Sequence, residues 1–430
     1  MKRLRWLGIS LVLLAIVLAG GAWLSQRHRH ASTTPEDPTI AATLHDPVVI
    51  AKGRYLAAAG DCVSCHTVRG GEPYAGGRML PTPFGNIPAP NITPDGETGI
   101  GSWTFNDFWR ALHEGIGRNG ELLYPAFSYT SFTKVTRDDA MALFAYLRSL
   151  PAVRQPNAPL ELRFPYNVRS TLTAWRAMYF KAGTYRADPS QSASWNRGAY
   201  LVQGLGHCNE CHATRDAWGG LNTGAALSGG LIPEQDWYAP DLSTQTNGGL
   251  QGWSRQDIID VLKTGQASKG AAIGPMADVV EHSTQHLHDD DVQAIADYLL
   301  SLPVRAAPAA MRARFDGKSL ADRGDAIYVE RCADCHGKDG AGVAGIYPPL
   351  DGNASVVEPT GINATRIVLL GGFAPVTAGH PRPYSMPPYA QQLNDADVAA
   401  VVTYIRQAWS NHAAAVQERD VAVYRHTPID

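Results

Sequence analysis

The sequence predicts an all-α protein of three tandem small domains with loop-rich inserts, preceded by an N-terminal hydrophobic helix. Three observations predict it. The tract Cys-x-x-Cys-His occurs at Cys62–His66, Cys208–His212 and Cys332–His336, and together the copies use all six cysteines of the 430-residue chain. Each tract follows a short helical pattern with a glycine and a tyrosine: Gly53 and Tyr55, Gly198 and Tyr200, Gly324 and Tyr328. Each is followed by a helical pattern that opens on aspartate and carries a tyrosine: Asp138 to Leu150 with Tyr146, Asp289 to Leu302 with Tyr298, Asp395 to Trp409 with Tyr404. The period is far longer than a solenoid unit, so each repeat is a domain.

Taken in order, Lys2, Arg3 and Arg5 precede an uncharged stretch from Trp6 to Gln26, which is read as a signal peptide or membrane anchor within residues 1–30. Either reading exports the rest of the chain and keeps the basic end inside. Domain 1 spans 45–155 and domain 2 spans 194–304. These two share Ala89-Pro-Asn-Ile92 with Ala239-Pro-Asp-Leu242, and Trp103 with Trp253, each tryptophan followed by an amphipathic segment. The linker 156–193 mixes Pro159, Pro165 and Pro189 with Tyr166, Trp175, Tyr179 and Phe180, aromatics that gain order only by burial. A second linker, 305–320, leads to the shorter domain 3 at 321–412, and the alanine-rich tail 413–430 is expected at the periphery. Aspartate at each closing-helix start is expected to cap the free amides, while Pro151 and Pro303 stop the first two helices. A glycine facing a tyrosine across two helices lets them cross closely.

The motif explains itself chemically. Two thiols three positions apart on one turn reach the two vinyl groups of one porphyrin, and the adjoining histidine offers its ring to the iron. Three covalently bound haem c groups are expected, held by Cys62 and Cys65, Cys208 and Cys211, Cys332 and Cys335, with His66, His212 and His336 as proximal ligands. A zinc site would need distant pairs to meet and leaves one pair over, and neither it nor a thioredoxin-like dithiol accounts for a histidine after every second cysteine. Charge is nearly balanced, 37 basic against 40 acidic residues, with no basic tract beyond the first few residues, which argues against nucleic acid as a partner. No paired acids, serine-histidine pattern or phosphate loop suggests catalysis.

Methionine on a proline-rich loop between motif and closing helix is the expected sixth ligand, because a thioether raises the haem potential. Met276 in Gly274-Pro-Met276 and Met386 in Met386-Pro-Pro388 fill that place. In the first copy Phe127 stands where methionine is expected and cannot ligate iron. The first haem then has an open position, or is ligated by Met79 or by a histidine such as His113. An open position also admits a different class of function, a peroxidase-like haem enzyme. His207, His282, His286, His288 and His380 are read as surface or hydrogen-bonding residues.

With these residues in view, the chain resembles the three-haem cytochrome c subunits of membrane-associated periplasmic dehydrogenases. The resemblance covers roughly residues 45 to 410. It rests on Thr82-Pro-Phe-Gly85, Asn91-Ile-Thr-Pro-Asp95, Trp195-Asn-Arg-Gly-Ala-Tyr-Leu201, Trp237-Tyr-Ala-Pro-Asp241, Gly274-Pro-Met276, Glu281-His-Ser-Thr-Gln285 and Met386-Pro-Pro388, among others. It implies three class-I-like cytochrome c domains with Met276 and Met386 as axial ligands. It also implies an electron-transfer subunit, itself non-catalytic, on the periplasmic side of the bacterial inner membrane. Electrons would come from a quinoprotein, flavoprotein or molybdenum dehydrogenase subunit and pass to membrane ubiquinone. Phe127 departs from many relatives, which carry methionine there. Substrate chemistry belongs to the other subunit.

Overall fold

A computed structural model of the chain describes residues 36–243, 249–303 and 318–425. The N-terminal hydrophobic segment and most of the 305–320 linker lie outside the described residues, and among the described residues no helix is long and apolar enough to cross a membrane. The chain forms two compact units, residues 1–57 with 65–186, and residues 58–64 with 187–430.

In the first unit, helix Pro47–Ala59 crosses helix Arg137–Ser149 at Gly53, where an added Cβ would lie 1.8 Å from the carbonyl oxygen of Ala142 and 2.7 Å from Tyr146 Cβ. The amphipathic segment after Trp103 is helix Phe105–Glu114. Thr104 and Asp107 cap it reciprocally, each side chain accepting the other's backbone N–H. Its apolar face meets the closing helix through Phe105, Phe108 and Phe144, the latter two rings stacked at 5.0 Å. Strands Met79–Thr82 and Gly85–Pro88 form an antiparallel pair, and Glu161–Leu162 adds a third strand. The linker aromatics are therefore partly structural: Tyr166 packs on Phe84 at 4.4 Å and Phe180 on Tyr129 at 4.9 Å.

The second unit holds the other two copies. Helix Ala193–Tyr200 runs into a π-helical turn, Leu201–Leu205, and crosses helix Asp289–Leu300 at Gly198. Helix Lys318–Arg331 crosses Asp395–Gln407 at Gly324 in the same way. Ser254 and Asp257 repeat the capping pair at the start of Arg255–Thr264. The third copy is built on Tyr328, Val368, Leu369, Val398, Val402 and Ile405.

Two expectations need correction. The opening aspartates are not the caps: Thr136 caps the first closing helix and Asn394 the third, while Asp138 and Asp395 lie inside the first turn, where their charge still meets the helix dipole. In the second closing helix, His288 occupies the cap position and makes no side-chain cap bond. The tail is not peripheral over its described part. Val416 and Val421 are buried in the third core, helix Glu418–Tyr424 packs there, and Arg425 pairs with Asp395 at 2.5 Å. Burial of the two valines holds the tail against that core.

Candidate haem sites

Each Cys-x-x-Cys-His tract includes a short helical turn: Cys62–Cys65, Asn209–His212 and Ala333–His336. Each leads to a histidine with one constant partner. His66 Nδ1 lies 2.7 Å from the carbonyl oxygen of Pro90, His212 Nδ1 is 2.7 Å from that of Pro240, and His336 Nδ1 is 3.0 Å from that of Pro348. A carbonyl only accepts, so Nδ1 carries the proton and donates it. The lone pair is left on Nε2, the tautomer an iron ligand requires. Burial holds all three imidazoles below the ordinary histidine range, and so neutral. These proline carbonyls are functional groups that the sequence reading did not pick out. The repeated Ala89-Pro90 and Ala239-Pro240 were the available signal for two of them.

The cysteines are free of disulfides. Burial pushes the thiols of Cys208 and Cys332 up to about 11, the opposite of the shift that activates a redox dithiol. Among the described residues no three His, Cys, Asp or Glu side chains gather into a metal cluster.

The third site surrounds a cavity. Cys332, Cys335, His336 and Met386 line one cavity of about 170 Å³, walled by apolar side chains that include Ile367 and Val368. Two thiols, a neutral imidazole and a thioether around one apolar space are the donor set of a covalently bound haem. Residues of the second copy, Gln266, Ala271, Ala272 and Ile273, complete the wall. Tyr328 donates its hydroxyl to the carbonyl of Gly337, beside His336, at 2.6 Å.

At the second site, Met276 is the second residue of helix Pro275–His282, directly after Gly274 at φ 52°. Arg215 clamps the motif turn. Its guanidinium pairs with Glu210 at 2.6 Å and donates to the Glu210 and Gly219 carbonyls.

At the first site, Phe127 packs on Phe132 at 5.4 Å between ring centroids. Met79 opens a strand opposite Pro88, two residues before the proline whose carbonyl holds His66. That strand pair therefore ties Met79 to the segment that holds His66. His113 stacks on Trp109 at 4.4 Å, and its Nδ1 is 3.5 Å from Thr133 Oγ1. His282 Nδ1 lies 3.0 Å from the Asp278 carbonyl oxygen, His286 Nε2 lies 3.1 Å from that of Glu281, and His380 pairs its backbone with Thr377.

The family model for cytochrome c matches residues 50–151, 196–303 and 321–409. The chain belongs to the cytochrome c family. This cytochrome c is similar over most of its length to three dehydrogenase subunits. It is 39% identical over 401 residues to the alcohol dehydrogenase (quinone) cytochrome c subunit of Gluconobacter oxydans, covering 89% of this chain and 83% of that one. It is 39% identical over 396 residues to the gluconate 2-dehydrogenase cytochrome c subunit of Pantoea cypripedii, covering 88% and 89%. It is 36% identical over 413 residues to the fructose dehydrogenase cytochrome subunit of Gluconobacter japonicus, covering 89% and 83%. Cytochrome c domains imply covalently bound haem c, and the three matched segments each contain one motif.

Proposed function

We propose that this cytochrome c carries three haem c groups, one in each of the domains 45–155, 194–304 and 321–412, and serves as the electron-transfer subunit of an exported dehydrogenase complex. A catalytic subunit supplies the electrons, and ubiquinone or another respiratory carrier at the periplasmic face of the inner membrane receives them. The observation that carries this reading is the threefold pairing of a motif histidine with a proline carbonyl, which prepares three equivalent iron ligands in one chain.

Haem c, when bound, supplies one-electron chemistry at its iron. The chain's residues set the conditions for it. Each cysteine pair would anchor a haem, each histidine would present Nε2 to its iron, and Met276 and Met386 would supply thioethers at the second and third sites. At the third site the surrounding wall is largely apolar. The experiment is a haem count on the purified holoprotein, then mixing with a candidate dehydrogenase and its substrate. Three acid-acetone-resistant haems per chain, reduced rapidly only with enzyme and substrate together, are expected. A colourless protein, or haems that stay oxidised with every quinoprotein, flavoprotein and molybdenum partner tried, overturns the reading.

Phe127, packed on Phe132 where a thioether is expected, favours a second reading in which the first site binds a small oxidant as a peroxidase does. Carbon monoxide binding at one haem together with peroxide turnover supports it; carbon monoxide binding without turnover leaves the electron-transfer subunit.

A further inference from the structure

Helix Ile362–Leu370 is joined to Met386 by a long loop closed at its base. Gly372 and Met386 exchange both backbone hydrogen bonds, at 3.0 and 2.9 Å, and residues from both arms, Phe373, Ala374, Tyr384 and Ser385, line the third cavity with Met386. The tip of this loop lies on the second copy. Pro375 packs against Gly265, and Thr377 Oγ1 donates to the Thr264 carbonyl at 3.4 Å. Gln285 then takes the tip from both sides: its Oε1 accepts the Ala378 N–H at 3.1 Å and its Nε2 donates to the Val376 carbonyl at 3.1 Å. Glu281 Oε2 accepts the Val376 N–H at 3.4 Å, and Gln285 Nε2 also donates to the Glu281 carbonyl at 2.6 Å, which fixes the amide's orientation.

We infer that Gln285 is a positioning residue for the third haem site, acting from the second copy through the loop that carries Met386. The inference rests on Met386 being the axial thioether ligand of that site. It gives the Glu281-His-Ser-Thr-Gln285 tract a role: its first and last residues grip a loop backbone nearly a hundred residues away. An axial ligand works only within a narrow range of positions, and a loop base anchored by one backbone pair shifts when its tip is released. With the second copy's Gln266, Ala271, Ala272 and Ile273 in the same cavity wall, the second copy supplies both a wall of the third site and the hold on its ligand.

The test uses full-length, haem-loaded protein as Gln285→Ala, Gln285→Glu and Met386→Ala. Imidazole competition at each haem, the long-wavelength band of thioether-ligated ferric haem and the three midpoint potentials are measured. With Gln285→Ala, imidazole should displace the thioether of one haem at on the order of tenfold lower concentration, since the side chain's two hydrogen bonds to the loop are lost. That haem's potential should fall while the other two stay unchanged. Gln285→Glu, which keeps the acceptor for Ala378, should lie between. If Gln285→Ala lowers thermal stability but moves no potential and no imidazole midpoint, or shifts all three haems alike, the positioning role is overturned. If Met386→Ala itself leaves the band and every potential unchanged, the assignment of Met386 has failed instead.

Discussion

The indole of Trp237 lies against the bare Cα of Gly274, so that a Cβ on Gly274 would come within 2.7 Å of Trp237 Cε2. Gly274 is held at φ 52°, ψ −136°, a region open to glycine and costly for any L side chain. The two constraints aim the next turn, which begins Pro275-Met276. Gly274→Ala should therefore cost about 1–3 kcal/mol of stability and weaken the thioether band of one haem. Both are checked on one sample, by thermal unfolding and by the ferric spectrum. A variant with full stability and an intact band would separate Gly274 from the placement of Met276.

Phe127 stands in the first copy at the place for which the second and third copies offer Met276 and Met386. The side chain is half-buried on Phe132 and of a size methionine can replace. Phe127→Met should raise the potential of one haem by on the order of 0.1 V, within the ~0.8 V that axial ligands span. Carbon monoxide binding at that haem should fall in parallel. A redox titration of parent and variant checks the shift.

How much of this was readable beforehand follows from where each signal resides. The motifs, the helix crossings and the approximate ends of the closing helices are side-chain patterns, and Pro151 and Pro303 mark stops that the chain respects within a few residues. The caps were misread because aspartate favours any place in a first turn, and only backbone geometry says that Thr136 or Asn394 precedes it. The carbonyls of Pro90, Pro240 and Pro348 were unreadable as acceptors, since a main-chain oxygen has no letter of its own. The core role of Val416 and Val421 depends on a tertiary surface 10 or more residues away in sequence, which an alanine-rich context does not announce.

Gly198 meets the Ala294 carbonyl so closely that a Cβ would stand 1.9 Å from its oxygen. The contact is backbone to backbone, so no rotamer change relieves it. Gly198→Ala must push helix Ala193–Tyr200 off Asp289–Leu300, at a cost of about 1–3 kcal/mol. An apparent melting temperature several degrees lower, by roughly 2–4 °C per kcal/mol for a unit of this size, is the expected outcome by circular dichroism. Exposed glycines such as Gly96 and Gly183, with nothing near the added Cβ, should tolerate alanine within about 0.5 kcal/mol.

Glu358 and Arg406 make a pH-dependent element of the third core. Arg406 is 1% exposed and donates to the carbonyls of Val356, Glu358 and Ala414. Burial raises the Glu358 carboxyl above the usual glutamate range. The Arg406 charge and the N–H and O–H groups of Thr360 oppose that shift without cancelling it. The folded chain therefore holds a proton here at pH values where the unfolded chain has released it. Stability from this group is complete below the ordinary glutamate pKa and declines as pH rises through the raised one. Glu358→Gln keeps an acceptor and removes the titration, so its unfolding free energy should lose that decline, and the variant should gain on the parent from mildly acidic pH upward. Arg406→Met should cost about 3 kcal/mol by stranding three buried carbonyls, and more as pH rises, because the charge that opposes the upward shift of Glu358 is gone. Denaturant unfolding of the two variants across the acidic range decides the matter: parallel curves for Glu358→Gln and parent would mean the carboxyl is not shifted upward.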